Sequence, residues 1–277
     1  MKTRIALATA LMVSFGLNSC GPGAETTQPP APEPKEVVYQ RGHQLYVQMQ
    51  LDSAATVLKR AAEQDSTYLP PLADLAALNY DLGMREEGET NPRRLERLRI
   101  SRSYFVKIEA GGMHESNVYE RLCELSLALN DSKAFLKYAR KNAELYPYDR
   151  QFYNLGLAYF ESEDYTGVIK SQKEACEKFK QSFYVGGFYR QLGRAYAKIG
   201  RDQTAERTFA AGVLAIDVRL AELRKKGGDY KIGEGYRRLI DDKIGMLLAL
   251  KKLHQTYKEP EKLELVERQL KEAGYAK

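Results

Sequence analysis

From residue 36 onward, apolar residues return at three- and four-residue intervals, the period of an amphipathic helix and not the alternation of a strand. Short polar turns interrupt these runs, and the runs come in pairs. Val38, Gly42, Leu45 and Tyr46 lie on one predicted helix and Ala54, Leu58, Ala61 and Ala62 on the next, with Asp52-Ser53 placed to cap the second. Pro70-Pro71 opens another pair through Leu72, Leu75, Ala76 and Tyr80, and Gly83 is expected to end that helix. Its partner starts at Asn91-Pro92 and carries Leu95, Leu98, Ser101 and Phe105, which leaves Met84 to Thr90 as an inserted loop. Gly111-Gly112 precedes a third pair, Tyr119, Leu122 and Cys123 with Phe135, Ala139 and Ala143, closed by Tyr146-Pro147.

The stretch from Asp149 to Phe209 contains an internal echo. Asn154-Leu155-Gly156-Leu157-Ala158-Tyr159 returns as Gln191-Leu192-Gly193-Arg194-Ala195-Tyr196, and each copy leads into a polar turn and a second apolar-periodic segment. The later copy adds Tyr189 before the Leu-Gly pair and Ala205 and Phe209 on the second helix. In the earlier copy, Val168 and Gln172 stand where a small and a large apolar residue would pack best, and Gly186-Gly187 reads as the break between the two.

This helix-turn-helix unit resembles the tetratricopeptide repeat (TPR), and the likeness covers most of Glu36 to Asp217. It implies an all-α, right-handed α-solenoid of about five hairpins that binds protein or peptide in a concave groove lined mainly by first helices. After Val213 the register loosens. Glu234 to Lys258 reads as a long helix with Ile240, Ile244, Leu247 and Leu248 on one face, and Glu259-Pro260-Glu261 opens a last one. Solenoids need such a polar-faced terminal pair because a repeat cannot bury its own end.

The N-terminus changes the setting. Lys2 and Arg4 precede an apolar run too short to span a bilayer, as in a secretory signal. Leu17-Asn18-Ser19-Cys20 resembles the lipobox of bacterial lipoprotein precursors, which implies a lipidated Cys20 as the mature first residue. Gly21 in place of Asp favours the outer membrane, facing the periplasm. The expected organisation is a signal over 1–19, a Pro/Gly-rich tether over 20–35, repeats over 36–217 and a helical cap over 218–277.

Charge and composition narrow the function classes. A formal charge of +6, which shrinks when Lys2 and Arg4 leave with the signal, lacks the clustered excess of a nucleic-acid binder. His43, His114 and His254 lie far apart, no phosphate-cradling or nucleophile motif is present, and adjacent acids such as Asp241-Asp242 point apart on a helix. Neither catalysis nor a metal or cofactor is expected. Cys123 and Cys176 can pair on arithmetic alone, but both occupy small-residue slots of helices, so buried free thiols are expected.

Candidate binding residues lie between the packing positions of the echoed repeats. Arg190, Arg194 and Lys198 recur every four residues as a basic stripe, and Tyr153, Asn154 and Leu157 occupy the groove-facing positions of the preceding first helix. This is similar to the carboxylate clamp of chaperone-binding repeats, although the supporting Asn and Lys of further repeats are not evident. The expected partner is a protein or peptide segment, acidic in character. A second reading, a lipoprotein that captures a glycan or other small solute, rests on the 19 tyrosines.

Overall fold

The computed structural model describes residues 33–227 and 233–275. The signal segment, Cys20, most of the tether and Gly228-Asp229 lie outside the described residues. Among the described residues there are twelve helices and no strand: α1 (Lys35–Val47), α2 (Leu51–Gln64), α3 (Leu69–Arg85), α4 (Pro92–Ala110), α5 (Ser116–Ala128), α6 (Ser132–Leu145), α7 (Asp149–Glu161), α8 (Tyr165–Lys178), α9 (Val185–Lys198), α10 (Asp202–Lys226), α11 (Glu234–Thr256) and α12 (Pro260–Glu272). None is long and apolar enough to cross a membrane.

Each odd-numbered helix packs on the following even-numbered one, and each pair packs on the next, which makes an α-solenoid. The fifth hairpin illustrates why the repeat residues recur. Leu192, Tyr196 and Phe209 are buried, and the Phe209 ring crosses α9 at Gly193, where a Cβ would lie 2.4 Å from Phe209 Cε1. Only glycine permits that approach, and burying one such aromatic contributes about 1.5–3 kcal/mol. Gly42 plays the same part under Leu58 in the first hairpin.

The cap is continuous with the repeats in its packing. Val185, Phe209, Ile216, Leu239, Met246 and Leu270 belong to one buried cluster, and α10 runs unbroken across residue 217. Cys123 and Cys176 are buried free thiols.

Four local expectations change. Helix α2 starts at Leu51 with Gln50 as its N-cap residue and no side-chain cap, and Asp52 lies in its first turn instead. The α1–α2 turn passes through Met49 at φ 61° and closes with Gln50 N–H donating to the Leu45 carbonyl, which sets the cap two residues before Asp52. Helix α3 continues past Gly83 to Arg85, so the inserted loop shortens to residues 86–90, and Asn91 caps α4 by accepting from Arg93 N–H. Gln172 is fully buried where a large apolar residue was expected, and its amide donates to the Phe152 carbonyl at 3.0 Å. Gly186-Gly187 is no break: both residues sit buried in the first turn of α9. A Cβ on Gly186 would meet Asp242 Cβ at 2.7 Å and one on Gly187 would meet Tyr153 Cε2 at 2.5 Å, so these glycines admit α11 and α7 to α9.

Candidate partner-binding groove

The odd-numbered helices also approach each other directly, α1 with α3, α7 with α9 and α9 with α11, whereas even-numbered helices approach only their sequence neighbours. The odd helices therefore line the concave side. A polar seam runs along it. His43 Nδ1 lies 2.7 Å from Asp74, and the Tyr46 hydroxyl donates to Asp81 at 2.8 Å, joining α1 to α3. The Tyr80 hydroxyl donates to Glu124 at 3.3 Å, joining α3 to α5, and the Gln151 amide donates to Glu120 at 2.9 Å, joining α5 to α7. Gln191 donates to the Tyr153 carbonyl at 3.2 Å, and Arg190 Nε stands 3.2 Å from Asp242 Oδ1, carrying the seam through α7 and α9 to α11.

At its last step the seam opens into a pocket of about 530 Å3 lined by Tyr153, Arg190 and, from α11, Glu234, Arg237, Arg238, Asp241 and Asp242. The Tyr153 ring stands on Gly187 and lies 5.1 Å from the Tyr184 ring. The Arg238 guanidinium covers both, 4.4 Å from the Tyr184 centroid and 5.7 Å from that of Tyr153, and its Nη2 reaches Glu234 at 3.2 Å. Gly245 leaves room for Arg190 to lie across α11, since a Cβ there would stand 3.2 Å from Arg190 Cδ.

Asp242 is the most perturbed group of the pocket. Its residue is 3% exposed, its Oδ2 has no hydrogen-bond partner, and burial pushes its carboxyl up to about 6 against the attraction of Arg190 and Arg238.

The predicted site residues divide on this frame. Tyr153 and Arg190 both line the pocket, but Arg190 is also engaged by Asp242 and serves as a tie between α9 and α11. Arg194 is exposed, with its guanidinium 4.3 Å from the Phe160 ring centroid, and Lys198 is exposed in the last turn of α9. Asn154 is half-buried on α7. Leu157 packs against the buried cluster that holds Leu155 and Ala158, so its side chain serves the core.

Sequence reasoning missed the contribution of α11. The signal was present: Leu239, Asp242, Met246 and Leu250 share one buried helical face, and an acid in that apolar row marks a position with a partner. At the other end of α11, His254 Nδ1 lies 2.7 Å from Glu259, and these two form with Glu206 a group of three side chains of metal-ligating type. Lys262 Nζ lies 2.8 Å from Glu206 and 2.9 Å from Glu259, so the chain supplies its own cation there.

The sequence matches no protein-family model and no curated protein. Solved structures do match. MamA aligns at 15% identity with a TM-score of 0.53, covering 68% of this chain and 95% of that one. YrrB, described as a TPR protein with an unusual peptide-binding site, aligns at 15% identity with a TM-score of 0.51, covering 68% of this chain and 90% of that one. The fold is that of the tetratricopeptide repeat. At this identity the likeness carries the fold alone, and the TPR hairpins differ from one another in what they present to the concave side.

Proposed function

We propose that this protein is a non-catalytic interaction scaffold that holds a segment of a partner protein along the concave face of its TPR solenoid. The observation that carries the reading is the open pocket at the end of the seam, where Tyr153, Arg190, Arg237 and Arg238 converge from three helices. Arg194 and Lys198 add exposed positive charge farther along α9. Arginines beside an aromatic ring on rigid helices suit an acidic peptide, because guanidinium pairs with carboxylate in two parallel hydrogen bonds. The description of YrrB as peptide-binding supports the mode and names no partner for this chain.

In this reading the scaffold is tethered to the bacterial outer membrane through a lipidated Cys20 and works in the periplasm. The support is the lipobox-like Leu17-Asn18-Ser19-Cys20 and the Pro/Gly-rich stretch that follows it. The glycan alternative gains no support from the pocket, which is open and takes a single aromatic residue, Tyr153, into its lining.

Charge reversal tests the groove. Arg194 and Arg237 are exposed, so Arg194→Glu with Arg237→Glu should weaken capture of the partner in pull-down from the native host while circular dichroism stays unchanged. Arg207→Glu, at an exposed position of α10, is the matched control. Equal capture by all three proteins would remove the groove reading. Arg190 is unsuitable for this purpose, because Glu there would face buried Asp242.

A further inference from the structure

We infer that Asp242 is a built-in competitor for the acidic group that this pocket takes from its partner, so that the pocket captures an acidic peptide more tightly once Asp242 is neutral. The inference rests on the groove reading above and adds to it the partner's chemistry and a control on its binding.

The geometry is that of an internal ligand. Asp242 enters the pocket wall from α11, and Arg190 reaches it from α9 across Gly245. The match is incomplete: Arg190 Nε and Asp242 Oδ2 are both buried and neither has a hydrogen-bond partner. Arg190 therefore spends its charge on a carboxylate that does not satisfy it, while its side chain remains 30% exposed toward the pocket. A carboxylate arriving from a partner would meet that exposed part and compete with Asp242 for the same cation.

The surrounding groups set the sign. Facing Asp242 are Arg190 from α9, the Tyr153 ring over Gly187 from α7, and Arg238 and Asp241 on α11 itself. With Asp242 ionised, the arginines of the pocket are balanced by Glu234, Asp241 and Asp242. With Asp242 protonated, the pocket carries net positive charge. Its carboxyl is raised to about 6 by burial, so the change falls within a range a periplasmic or external medium can reach. Linkage makes the effect reciprocal: an acidic ligand that binds the neutral form better must also draw a proton onto Asp242.

The test is fluorescence anisotropy of a labelled Asp-rich peptide, whose own carboxyls titrate near 3.9 and stay ionised above pH 5, with a Lys-rich peptide as comparison. The full chain, Asp242→Asn and the control Asp52→Asn, exposed on α2 away from the pocket, are each measured at pH 5 and pH 8, with helicity followed in parallel. The wild type should bind the Asp-rich peptide about tenfold more tightly at pH 5 than at pH 8, the change expected from one pK unit of coupling. Asp242→Asn should bind tightly at both, and Asp52→Asn should keep the pH dependence. Wild-type binding that is equal at the two pH values overturns the competition and leaves the groove reading standing, and so does pH dependence that survives in Asp242→Asn. Failure to bind the Asp-rich peptide at either pH overturns the acidic partner class. In that case the capture experiment under Proposed function decides separately whether the groove holds a partner at all.

Discussion

Arg190 Nε stands 3.2 Å from Asp242 Oδ1, and this contact joins the last repeat to the first helix of the cap across two glycines of α9. Its stability consequence has a definite sign. The Asp242 carboxyl is raised to about 6 in the folded chain from an ordinary 3.8, so the folded state holds the proton more firmly than the unfolded one. Below the ordinary value both states are protonated and Asp242 contributes nothing. As pH rises through the window from about 4 to about 6, folding loses up to roughly 2–3 kcal/mol on its account, and the cost is constant above that. Unfolding free energies of wild type and Asp242→Asn, measured from pH 4 to pH 8, should diverge across that window with the wild type losing ground. Parallel curves would contradict the assignment.

Packing at the repeat motif gives a second prediction. Gly193→Ala drives a methyl into the Phe209 ring, whose Cε1 would be 2.4 Å away. Overpacking costs typically about 1–3 kcal/mol, and alanine returns up to about 1 kcal/mol in helix propensity, so urea unfolding should register a net loss. A stabilised variant would mean that α9 and α10 are further apart than described.

The two thiols should be silent in the native chain. Burial pushes both Cys123 and Cys176 up to about 12, which suppresses the reactive thiolate. At pH 8 a thiol-specific reagent should label them slowly and label them rapidly in denaturant. Fast labelling without denaturant would show that these helices open readily.

Cys20 carries the anchoring proposal. Expressed in a bacterial host, Cys20→Ser should leave an unprocessed precursor or a soluble product, read by mobility and by membrane fractionation. Unchanged processing and fractionation would remove the lipid anchor from the account.

The fold was legible because its decisive contacts are local. Leu192, Gly193 and Tyr196 meet Ala205 and Phe209 within one hairpin, so a short stretch of sequence contains both sides of the packing. The groove was legible only in part. Helical spacing alone put Arg190, Arg194 and Lys198 on one stripe, but which of them stays free depends on α11, a helix that joins α9 through tertiary packing. Gly186-Gly187 illustrates the difficulty. A glycine pair in sequence reads equally as a break or as a site of close approach, and here the side chains of Asp242 and Tyr153 packed against it decide for the second. Leu157, read as a groove residue from its position, is half-buried and packs against the cluster that holds Leu155 and Ala158.

Site-specific photocrosslinking tests the central claim most directly. A photoreactive residue at position 194, exposed on α9 of the concave side, is compared in the native host with one at position 207, exposed on α10 of the opposite layer. The account predicts a discrete protein crosslinked from position 194, absent from position 207 and reduced by Arg237→Glu. Crosslinks of equal yield from both positions, or from position 207 alone, would contradict a partner held in the concave groove.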